Sequence, residues 1–492
     1  MSQLQKVKKI ALIMTSLTVM ISGCSLYQKA VVPSFKKPER FKYTIQVKDP
    51  HLHYLWWKNF HDKTLNRLIK CALVQNNDYI IALKNIDIAI TYVTQNESLL
   101  FPQVSATFNS SRNRSMSIFN TNNFVSSANP SIANNTGIGF GSFGRTFNLD
   151  QVFGTVSYQL DVWNQLRNAV KQSKANVASS IASADVIKLT LITGVTNTWF
   201  QIKALESNIS NLKEQQKIAF DLLKLTESQY KGNLVDISVV DDAKNQIETI
   251  RINISNTEKQ LEISVNMLAY LLGLTPEQFS MIPHQSLNPL HYADLIPPGL
   301  PSQMIANRPD IQSAYFQVLS NGYMEKQMLA NFLPSFNLTG NYGYANTAFT
   351  NLFTPQNTFW NYGISVLQPI FDYKLRMSEY KRAQFQYDSA FLTYKKTVIN
   401  AYQEVNNALL SYQKDNEALH AYEREVSNSQ EKLRSANAQY QSGYNTYSNY
   451  LTNRLSYLQY VNSLISARLT LTQDIIQVYQ TLGLGLCTPS QL

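Results

Sequence analysis

A strand that runs directly into a long helix is the feature that most constrains the fold of this chain. From Thr155 to Val162, polar side chains alternate with Val, Tyr and Leu, which is the period of a strand with one polar and one apolar face. After Trp163 a helix-forming run continues to Thr193 without Gly or Pro. Because helices in compact domains average about 11–12 residues, this run predicts an extended architecture.

The same pattern recurs in the second half of the chain. Trp360 begins a second alternating run, and a helical pattern follows from Tyr373. Asp161 and Asp372 stand in matching places just before the two helices. Such internal similarity predicts two copies of one unit, each built from strands and long helices.

The N-terminus has the pattern of a bacterial export signal. A basic segment at residues 6–9 precedes an apolar stretch at residues 10–20, as in a signal peptide. Residues 21–24, Ile-Ser-Gly-Cys, resemble the lipobox of bacterial lipoproteins, whose cysteine becomes the lipid-bearing first residue of the mature chain. The resemblance implies a covalent diacylglycerol and N-acyl lipid on Cys24, and Ser25 in place of Asp favours sorting to the outer membrane. The alternative is a generic short anchor.

The patterns divide the chain into five parts: a signal peptide (1–23), a lipidated N-terminal tether (24–60), a first repeat (61–273), a Pro-rich linker (274–301) and a second repeat (302–492). Hydrophobic periods and breakers predict the elements of each repeat. The first repeat is predicted to contain a helix at 61–99, a strand at 103–109, a polar loop at 111–150, the strand and helix already described, a turn near 204–210, a return helix, a break at 230–233 and a helix at 237–272. The second is predicted to contain a helix at 309–331, strands at 335–342 and 360–366, a helix at 373–412, a turn near 412–417, a return helix to Tyr440 and, after Gly443, a last helix to Leu482.

The four predicted strands favour a membrane over a soluble sheet. Each has about ten residues, near the length of a tilted strand that crosses a bilayer. Their polar faces carry Ser, Thr, Asn and Gln, and charged residues make up only 15% of the chain. The alternative is a small soluble sheet whose apolar face packs on helices. Four strands cannot close a barrel, and open edges are not tolerated in lipid, so membrane strands require several copies. Two copies would supply about 8 strands around a filled interior, and three about 12 around a lumen.

Several motifs, in order and in both halves, resemble those of a known family. The opening motif comprises Trp56, Trp57, Phe60, Asp62, Leu65, Leu68, Ile69, Ala72, Leu73, Asn77, Asp78 and Ala82; later motifs are Leu160-Asp161-Val162-Trp163, Arg308-Pro309-Asp310, Pro369-Ile370-Phe371-Asp372, and Tyr440 with Gly443. The chain resembles the TolC-like outer-membrane efflux proteins, in the OprM-like (NodT) lipoprotein branch that serves tripartite RND-type drug pumps. The likeness covers nearly the whole mature chain. It departs from the family at Trp163-Asn164, Tyr315 and Thr452-Asn453.

The resemblance implies a fold and a set of partners. The fold is α+β, mostly long α-helices, with an internally duplicated helical-hairpin barrel and four transmembrane β-strands per chain. A homotrimer would form a 12-strand β-barrel and a periplasmic α-barrel closed at its tip, with an equatorial belt near Gly443 and the C-terminal helix. The chain would sit in outer-membrane lipid as a passive exit duct, while an inner-membrane RND-type pump and a periplasmic adaptor supply energy and selection.

Four acidic residues near the predicted helix turns are candidates for a pore gate: Glu206, Glu404, Asp415 and Glu417. Carboxylates repeated around a three-fold axis would narrow the pore and attract cations. The alternative is a solvated charge at a helix end. Arg308, Pro309 and Asp310 are predicted to be structural, because proline suits a first helical turn and a carboxylate there stabilises the helix dipole.

Other patterns argue against further functions. Residues 137–141, Gly-Ile-Gly-Phe-Gly, lie in an Asn/Ser tract without a preceding strand, so a surface loop is favoured over a phosphate site. His51, His53 and His61 fit no metal motif, and the catalytic motifs of common enzymes are absent from the sequence. The formal net charge is +10 without a basic, aromatic-rich run, which argues against nucleic acid. No apolar run of about 18 residues follows the signal.

Some alternatives stay open at this point. Cys71 and Cys487 could form a disulfide or, as we favour, separate buried thiols. The efflux channel competes with the exit duct of a type I protein secretion system, and with a non-conducting surface lipoprotein whose coiled-coil helices serve adhesion. Heavy-metal efflux is disfavoured because no Met or His cluster lies on a strand face.

Overall fold

The computed structural model describes residues 30–35, 55–115, 145–279, 305 and 307–484. The signal peptide, Cys24, most of the tether, most of the linker and Cys487 lie outside the described residues, as do His51, His53 and the glycine-rich loop at 137–141. The predicted five-part division therefore stays a prediction.

The described residues form seven α-helices and four strands, and all of the first set except its first helix recur in the same order in the second. The first set is α1 (Lys63–Gln75), α2 (Asn77–Ser98), β1 (Gln103–Ser115), β2 (Arg145–Leu160), α3 (Gln165–Lys231) and α4 (Ile237–Leu271). The second set is α5 (Pro309–Ala330), β3 (Ser335–Asn346), β4 (Thr358–Leu367), α6 (Leu375–Gln441) and α7 (Tyr447–Thr481). Helices α3 and α6 each have 67 residues, α4 and α7 each have 35, and α2 and α5 each have 22. The equal lengths confirm the internal duplication.

The chain divides into two compact units. The strand unit comprises the described parts of residues 91–173 and 321–385, and the helical unit those of residues 31–90, 174–320 and 386–492. In the strand unit the four strands form one antiparallel sheet in the order β1-β2-β3-β4. Strands β2 and β3 belong to different repeats, so the middle ladder of the sheet joins the two halves.

Strands β1 and β2 are longer than the sequence predicted. The polar loop expected at 111–150 is wrong at both ends, because β1 continues to Ser115 and β2 begins at Arg145. The added residues pair in register, and the Ser110 hydroxyl donates to the buried Asp150 carboxylate at 2.6 Å. Strand pairing is made by backbone N–H and C=O groups, which polar residues also carry. An Asn/Ser-rich composition therefore does not show where the pairing ends.

The predicted turns near 204–210 and 412–417 are wrong, because α3 and α6 run through them without a break. Neither segment contains Gly or Pro. The apolar pattern changes along α3 because the helix changes its packing partner. Trp199 lies in the main core, whereas Leu212 packs with apolar residues of α4 and Ile218 packs with Leu451 of α7. The sequence pattern that predicts a reversal of the chain is a change of buried face on one continuous helix.

The helix predicted at 61–99 is interrupted at Asn76. This residue is extended, with ψ 123°, and its carboxamide serves both sides of the break. Its Oδ1 accepts from the Tyr79 N–H at 3.0 Å, and its Nδ2 donates to the Leu271 carbonyl at 3.0 Å. An asparagine that caps the next helix in this way ends one helix and starts another.

The chain reverses direction at two closely similar turns that follow α3 and α6. The left-handed residue is Asn233 in the first turn, with φ 57°, and Gly443 in the second, with φ 76°. The Leu234 N–H donates to the Gln229 carbonyl, and the Tyr444 N–H donates to the equivalent carbonyl in the second turn, both at 2.9 Å. This is the Schellman arrangement that ends many helices. Gly443 therefore lies in the α6–α7 turn, and the equatorial belt that the resemblance implies near it stays a prediction.

The core of the helical unit joins the start of the chain to its last helix. The Trp56 ring stacks on Tyr479 of α7 at 5.0 Å, and its indole N–H donates to the Leu484 carbonyl at 3.1 Å. Trp56 is fully buried, as is Leu65 on α1. The aromatic opening motif thus anchors the first repeat to the end of the second.

Within the described residues, one helix is long and apolar enough to meet a composition criterion for crossing a membrane. It is α3, in which an 18-residue window has a mean hydropathy of 1.3. This finding differs from the expectation that no apolar run of about 18 residues follows the signal. Packing accounts for only part of the window, since 39% of it is buried.

Candidate functional site: a membrane-facing sheet and two helix hairpins

The strand register places the apolar residues of all four strands on one face of the sheet. Val104 pairs with Val156, and Leu338 pairs with both Tyr158 and Ile364. Directly paired residues of antiparallel strands point to the same side. The apolar face comprises Val104, Ala106, Phe108, Val152, Val156, Tyr158, Leu160, Phe336, Leu338, Tyr342, Tyr344, Trp360, Tyr362, Ile364 and Val366.

This face is exposed rather than packed on helices. Val104 is 76% exposed, Tyr362 81% and Trp360 65%. A soluble sheet would bury its apolar face and expose the other one. The opposite face carries mainly Ser, Thr, Asn and Gln, and the Asn341 amide donates to Asn361 across the strands at 2.9 Å. A sheet that is apolar outside and polar inside has the pattern of a transmembrane β-barrel wall.

Phenylalanine occurs at one row of the polar face. Phe153 and Phe359 flank Gly343 on the neighbouring strand, with their ring centroids 5.9 Å apart. A Cβ at Gly343 would lie 2.2 Å from the Val152 carbonyl oxygen. The glycine therefore allows close approach of β2 and β3, and the two rings cover it.

The sheet has two unpaired edges, β1 and β4. Among the strands that the structure describes, β1 pairs with β2 alone and β4 with β3 alone. Each edge presents a row of N–H and C=O groups, which is too costly to leave open in lipid. The sheet of one chain therefore requires further strands to complete it.

Matching carboxylates connect the strands to the long helices. Asp161 accepts from the Leu166 and Arg167 N–H groups at 3.0 Å each. Asp372 accepts from the Arg376 N–H at 3.5 Å and forms an ion pair with its guanidinium at 2.6 Å. The equivalence predicted for Asp161 and Asp372 is confirmed, since each carboxylate caps the helix that follows its strand.

Arg308 is the centre of a buried polar joint. Its guanidinium donates to the Thr481 carbonyl at 2.7 Å, to Asp310 at 2.8 Å and to Glu404 at 2.7 Å. Burial alone would lower the pKa of Arg308, but hydrogen bonds and attraction from the two carboxylates outweigh it and raise the pKa. Pro309 is the first residue of α5, as expected. The joint thus ties the start of α5 to α6 and to the end of α7.

The four acidic gate candidates do not meet at a chain reversal. Glu404 bonds Arg308 in the joint just described, and Asp415 lies against Asp474 of α7. Glu206 lines a groove of about 1010 Å³ between α3 and α4. Glu417 is exposed, and a hydrogen bond from Lys414 at 2.8 Å lowers its pKa. All four lie inside helices because the turns expected beside them do not exist.

Asp62 forms polar contacts that the sequence does not predict. Its carboxylate caps α1, accepts from the Trp199 indole at 2.8 Å and pairs with Lys203 at 2.7 Å. Burial would raise the pKa of Asp62, but the hydrogen bonds from Lys203 and Trp199 outweigh it and lower the pKa. An aspartate just before a helical period signals a cap, whereas its partners on α3 are distant in sequence.

A polar seam joins α3 to α7. The Asn211 amide donates to the Leu458 carbonyl at 2.7 Å and to the Asn462 Oδ1 at 2.6 Å. Arg454 forms an ion pair with Glu214 on the same side. The two helix hairpins of the helical unit are therefore tied by polar contacts as well as by the core.

The ends of the two hairpins differ in side chains although their backbones agree. The α6–α7 end carries a tyrosine cluster. The ring centroid of Tyr440 lies 5.1 Å from that of Tyr447 and 6.2 Å from that of Tyr450. Tyr444 in the turn is 89% exposed. The α3–α4 end exposes Leu234 at the equivalent place.

Among the described residues, no group of three or more His, Cys, Asp or Glu side chains is arranged to hold a metal ion.

Comparison with known proteins defines the class. The model of the family "Outer membrane efflux protein" matches residues 68–274 and 300–484. The chain belongs to this family, which is one of channels and not a class of enzymes. It is thus an outer-membrane channel component of an efflux pump, with a periplasmic extension.

Particular relatives agree over most of the chain. It is 26% identical to the probable efflux pump outer membrane protein TtgC of Pseudomonas putida over 434 residues, which covers 87% of this chain and 85% of that protein. It is 23% identical to the cation efflux system protein CusC of Escherichia coli, over 94% of this chain and 97% of that protein. The crystal structure of the CmeC outer membrane channel of Campylobacter jejuni superposes with a TM-score of 0.80 at 20% identity, over 93% of this chain and 95% of that one.

Proposed function

We propose that three copies of this chain form one closed channel, and that this channel is the passive exit duct for small toxic molecules. Each copy would contribute four strands, giving a barrel of about 12 strands, wide enough for a water-filled lumen. The observation that carries the proposal is the sheet of the strand unit, which exposes a continuous apolar face and leaves β1 and β4 unpaired. Pairing β4 of one copy with β1 of the next removes every open edge.

The helices also need partner copies. On α6, Phe385, Leu392 and Ile399 are spaced one heptad apart and are 66%, 62% and 54% exposed. Apolar rows at heptad spacing are the seams of helix bundles. One chain leaves the apolar row on α6 exposed. Helices of neighbouring copies would cover this row.

The remaining parts of the proposal concern the anchor and the partners. A lipid on Cys24 would hold the N-terminus at the outer membrane. A periplasmic adaptor and an inner-membrane RND-type pump would deliver cargo, and exposed Tyr444 and Leu234 at the hairpin ends offer apolar contact points for the adaptor. TtgC is named for a probable efflux pump and CusC for a cation efflux system, and we assign the choice of cargo to the pump and the adaptor.

The test is the mass and conductance of the detergent-purified assembly. We expect three copies per particle, a stained image with three-fold symmetry, and ion conductance in planar bilayers. A water-soluble monomer would overturn the trimer, and a trimer without conductance would favour the adhesion lipoprotein. Cys24→Ala tests the anchor separately, because unchanged detergent partitioning and precursor size would exclude lipidation.

The acidic gate is a narrower proposal. Of the four candidates, Asp415 has the clearest test, since a carboxylate lining the lumen restricts conduction. If Asp415 faces the lumen, Asp415→Ala is expected to raise single-channel conductance. Unchanged conductance would remove Asp415 from the gate and leave Glu206, Glu404 and Glu417 for the same measurement.

A further inference from the structure

We propose that the carboxyl groups of Asp415 and Asp474 share one proton, and that this proton makes the packing of the α6–α7 hairpin sensitive to pH. With the proton in place, one carboxyl donates to the other and holds the two helices together. When the proton leaves, two negative charges meet at the same contact and push the helices apart. The inference concerns one chain and does not depend on the number of copies in the channel.

The hairpin geometry brings the two carboxyl groups together. Asp415 lies on α6 and Asp474 on α7, almost equally far along their helices from the turn that joins them. Near the turn, Tyr440 of α6 packs against Tyr447 and Tyr450 of α7. This antiparallel packing places Asp415 level with Asp474. About one turn away on each helix, Leu419 and Leu471 are buried in the main core at 2% and 0% exposure. The pair therefore lies beside packed apolar side chains, where charge is poorly solvated.

Two ionised carboxylates at this contact would have no hydrogen-bond donor between them. The Asp474 Oδ2 is buried and has no hydrogen-bond partner. Ionised carboxylates are acceptors only, so two of them facing each other cannot form a hydrogen bond. A single proton supplies the missing donor and leaves one negative charge on the pair instead of two.

Within the part of the chain that the structure describes, no cation takes the place of the proton beside Asp474. On α3, the antiparallel register set by the Asn211 contacts with α7 places the neutral Asn197 level with Asp474, and the Asn197 Oδ1 is itself buried without a donor. Arg468 lies almost two turns earlier on α7, and the charge that acts on Asp474 is that of Asp415. Other nearby charged groups have partners of their own: Lys414 with Glu417, Lys203 with Asp62, and Arg308 with Asp310 and Glu404.

The protonation equilibrium agrees with this geometry. Burial, followed by the hydrogen bond and repulsion from Asp415, raises the pKa of Asp474 to about 7. A group that binds its proton more tightly in the folded chain stabilises that chain at low pH. This contribution is complete below the ordinary aspartate pKa of 3.8 and is lost as the pH rises through about 7. Modest changes around neutrality therefore change the fraction of hairpins that hold the proton.

Infrared spectroscopy of the full-length, detergent-purified assembly tests the shared proton directly. Spectra are recorded between about pH 5 and pH 9, a range that brackets the expected titration. We expect a protonated-carboxyl C=O band that disappears as the pH passes through about 7. The band should be missing in Asp474→Asn and in Asp415→Asn. Absence of the band in the unmodified chain, or its persistence in both variants, would overturn the proposal.

Thermal unfolding over the same pH range tests the effect on packing. The midpoint of the unmodified chain is expected to fall by several degrees across neutrality. In Asp474→Asn the dependence should flatten, because an amide donates to Asp415 at every pH. The matched control is Asp388→Asn, which removes an exposed carboxylate from α6 and should keep the original slope. Equal slopes in Asp474→Asn and Asp388→Asn would contradict the switch.

Discussion

The two repeats build the same joint with different chemistry. In the first repeat the residue before α2 is Asn76, and its neutral amide donates to the Leu271 carbonyl at the end of α4 at 3.0 Å. In the second repeat the residue before α5 is Arg308, and its guanidinium donates to the Thr481 carbonyl at the end of α7 at 2.7 Å. Both joints fasten the last turn of a 35-residue return helix.

The difference lies in what each joint requires from its surroundings. The amide of Asn76 needs no counter-charge and also caps its own helix through Tyr79. A buried guanidinium is costly unless it is paired, and Arg308 is paired with Asp310 and Glu404. The same backbone geometry can therefore be stabilised by a neutral hydrogen bond or by a charged network. The charged network also contacts a third helix, α6.

The largest expected effect is the loss of the charged joint. Arg308→Ala removes the contact to α7 and leaves two carboxylates without their cation. We therefore expect the free energy of unfolding to fall by about 3 kcal/mol. Asn76→Ala removes neutral hydrogen bonds and is expected to cost about 1 kcal/mol. Denaturant or thermal unfolding of the two variants measures both. Equal losses would break the comparison, because the charged network would then contribute nothing beyond the shared contact.

Glycine substitutions at the same joints sharpen the comparison. Gly273 and Gly483 end the return helices with φ 73° and 69°. A Cβ at Gly273 would lie 2.3 Å from the Gln75 carbonyl oxygen, whereas one at Gly483 would lie 3.2 Å from Arg308. We expect Gly273→Ala to cost about 2 kcal/mol and Gly483→Ala about 1 kcal/mol. Unfolding midpoints check the order, and the reverse order would mean that the second joint is the tighter one.

A third prediction concerns pH and the buried ion pair of the first repeat. Asp62→Asn keeps a helix cap but loses the ion pair with Lys203, so we expect a loss of about 1.5 kcal/mol at neutral pH. The pKa of Asp62 is lowered, so its contribution is complete above the ordinary aspartate range and is lost as the pH falls through the folded pKa. The gap between variant and unmodified chain should therefore narrow in acid. A constant gap would show that Asp62 acts through packing alone.

The smallest expected effect compares the caps that follow the strands. Asp161 accepts two N–H groups at 3.0 Å each, while Asp372 accepts one at 3.5 Å. We expect Asp161→Ala to cost about 1 kcal/mol and Asp372→Ala about half as much. Unfolding of the single variants and of the double variant measures both caps. A larger loss at Asp372 would assign the main role to its ion pair with Arg376.

The sequence predicted the repeated order of elements because each element carries its own local period. The strand at 335–342 and the helix at 237–272 needed only alternation, apolar spacing and a following breaker. The turns predicted at 204–210 and 412–417 are wrong because α3 and α6 continue through them, and on α3 a change of packing partner shifts the apolar face without any breaker. Asp161 and Asp372 were matched correctly, since a cap lies next to the helix that it serves. Contacts such as Trp199 with Asp62 depend on the fold and left no local signal.

The two unpaired edges of the sheet have a genetic consequence under the proposed ring. A closed ring has no spare partner, so one defective copy opens it for all the others. Consider a subunit that folds and assembles but whose β4 can no longer pair with the next copy. It would inactivate channels in which all other subunits are unmodified. Damage to this edge should therefore behave as dominant, whereas damage that prevents folding would behave as recessive.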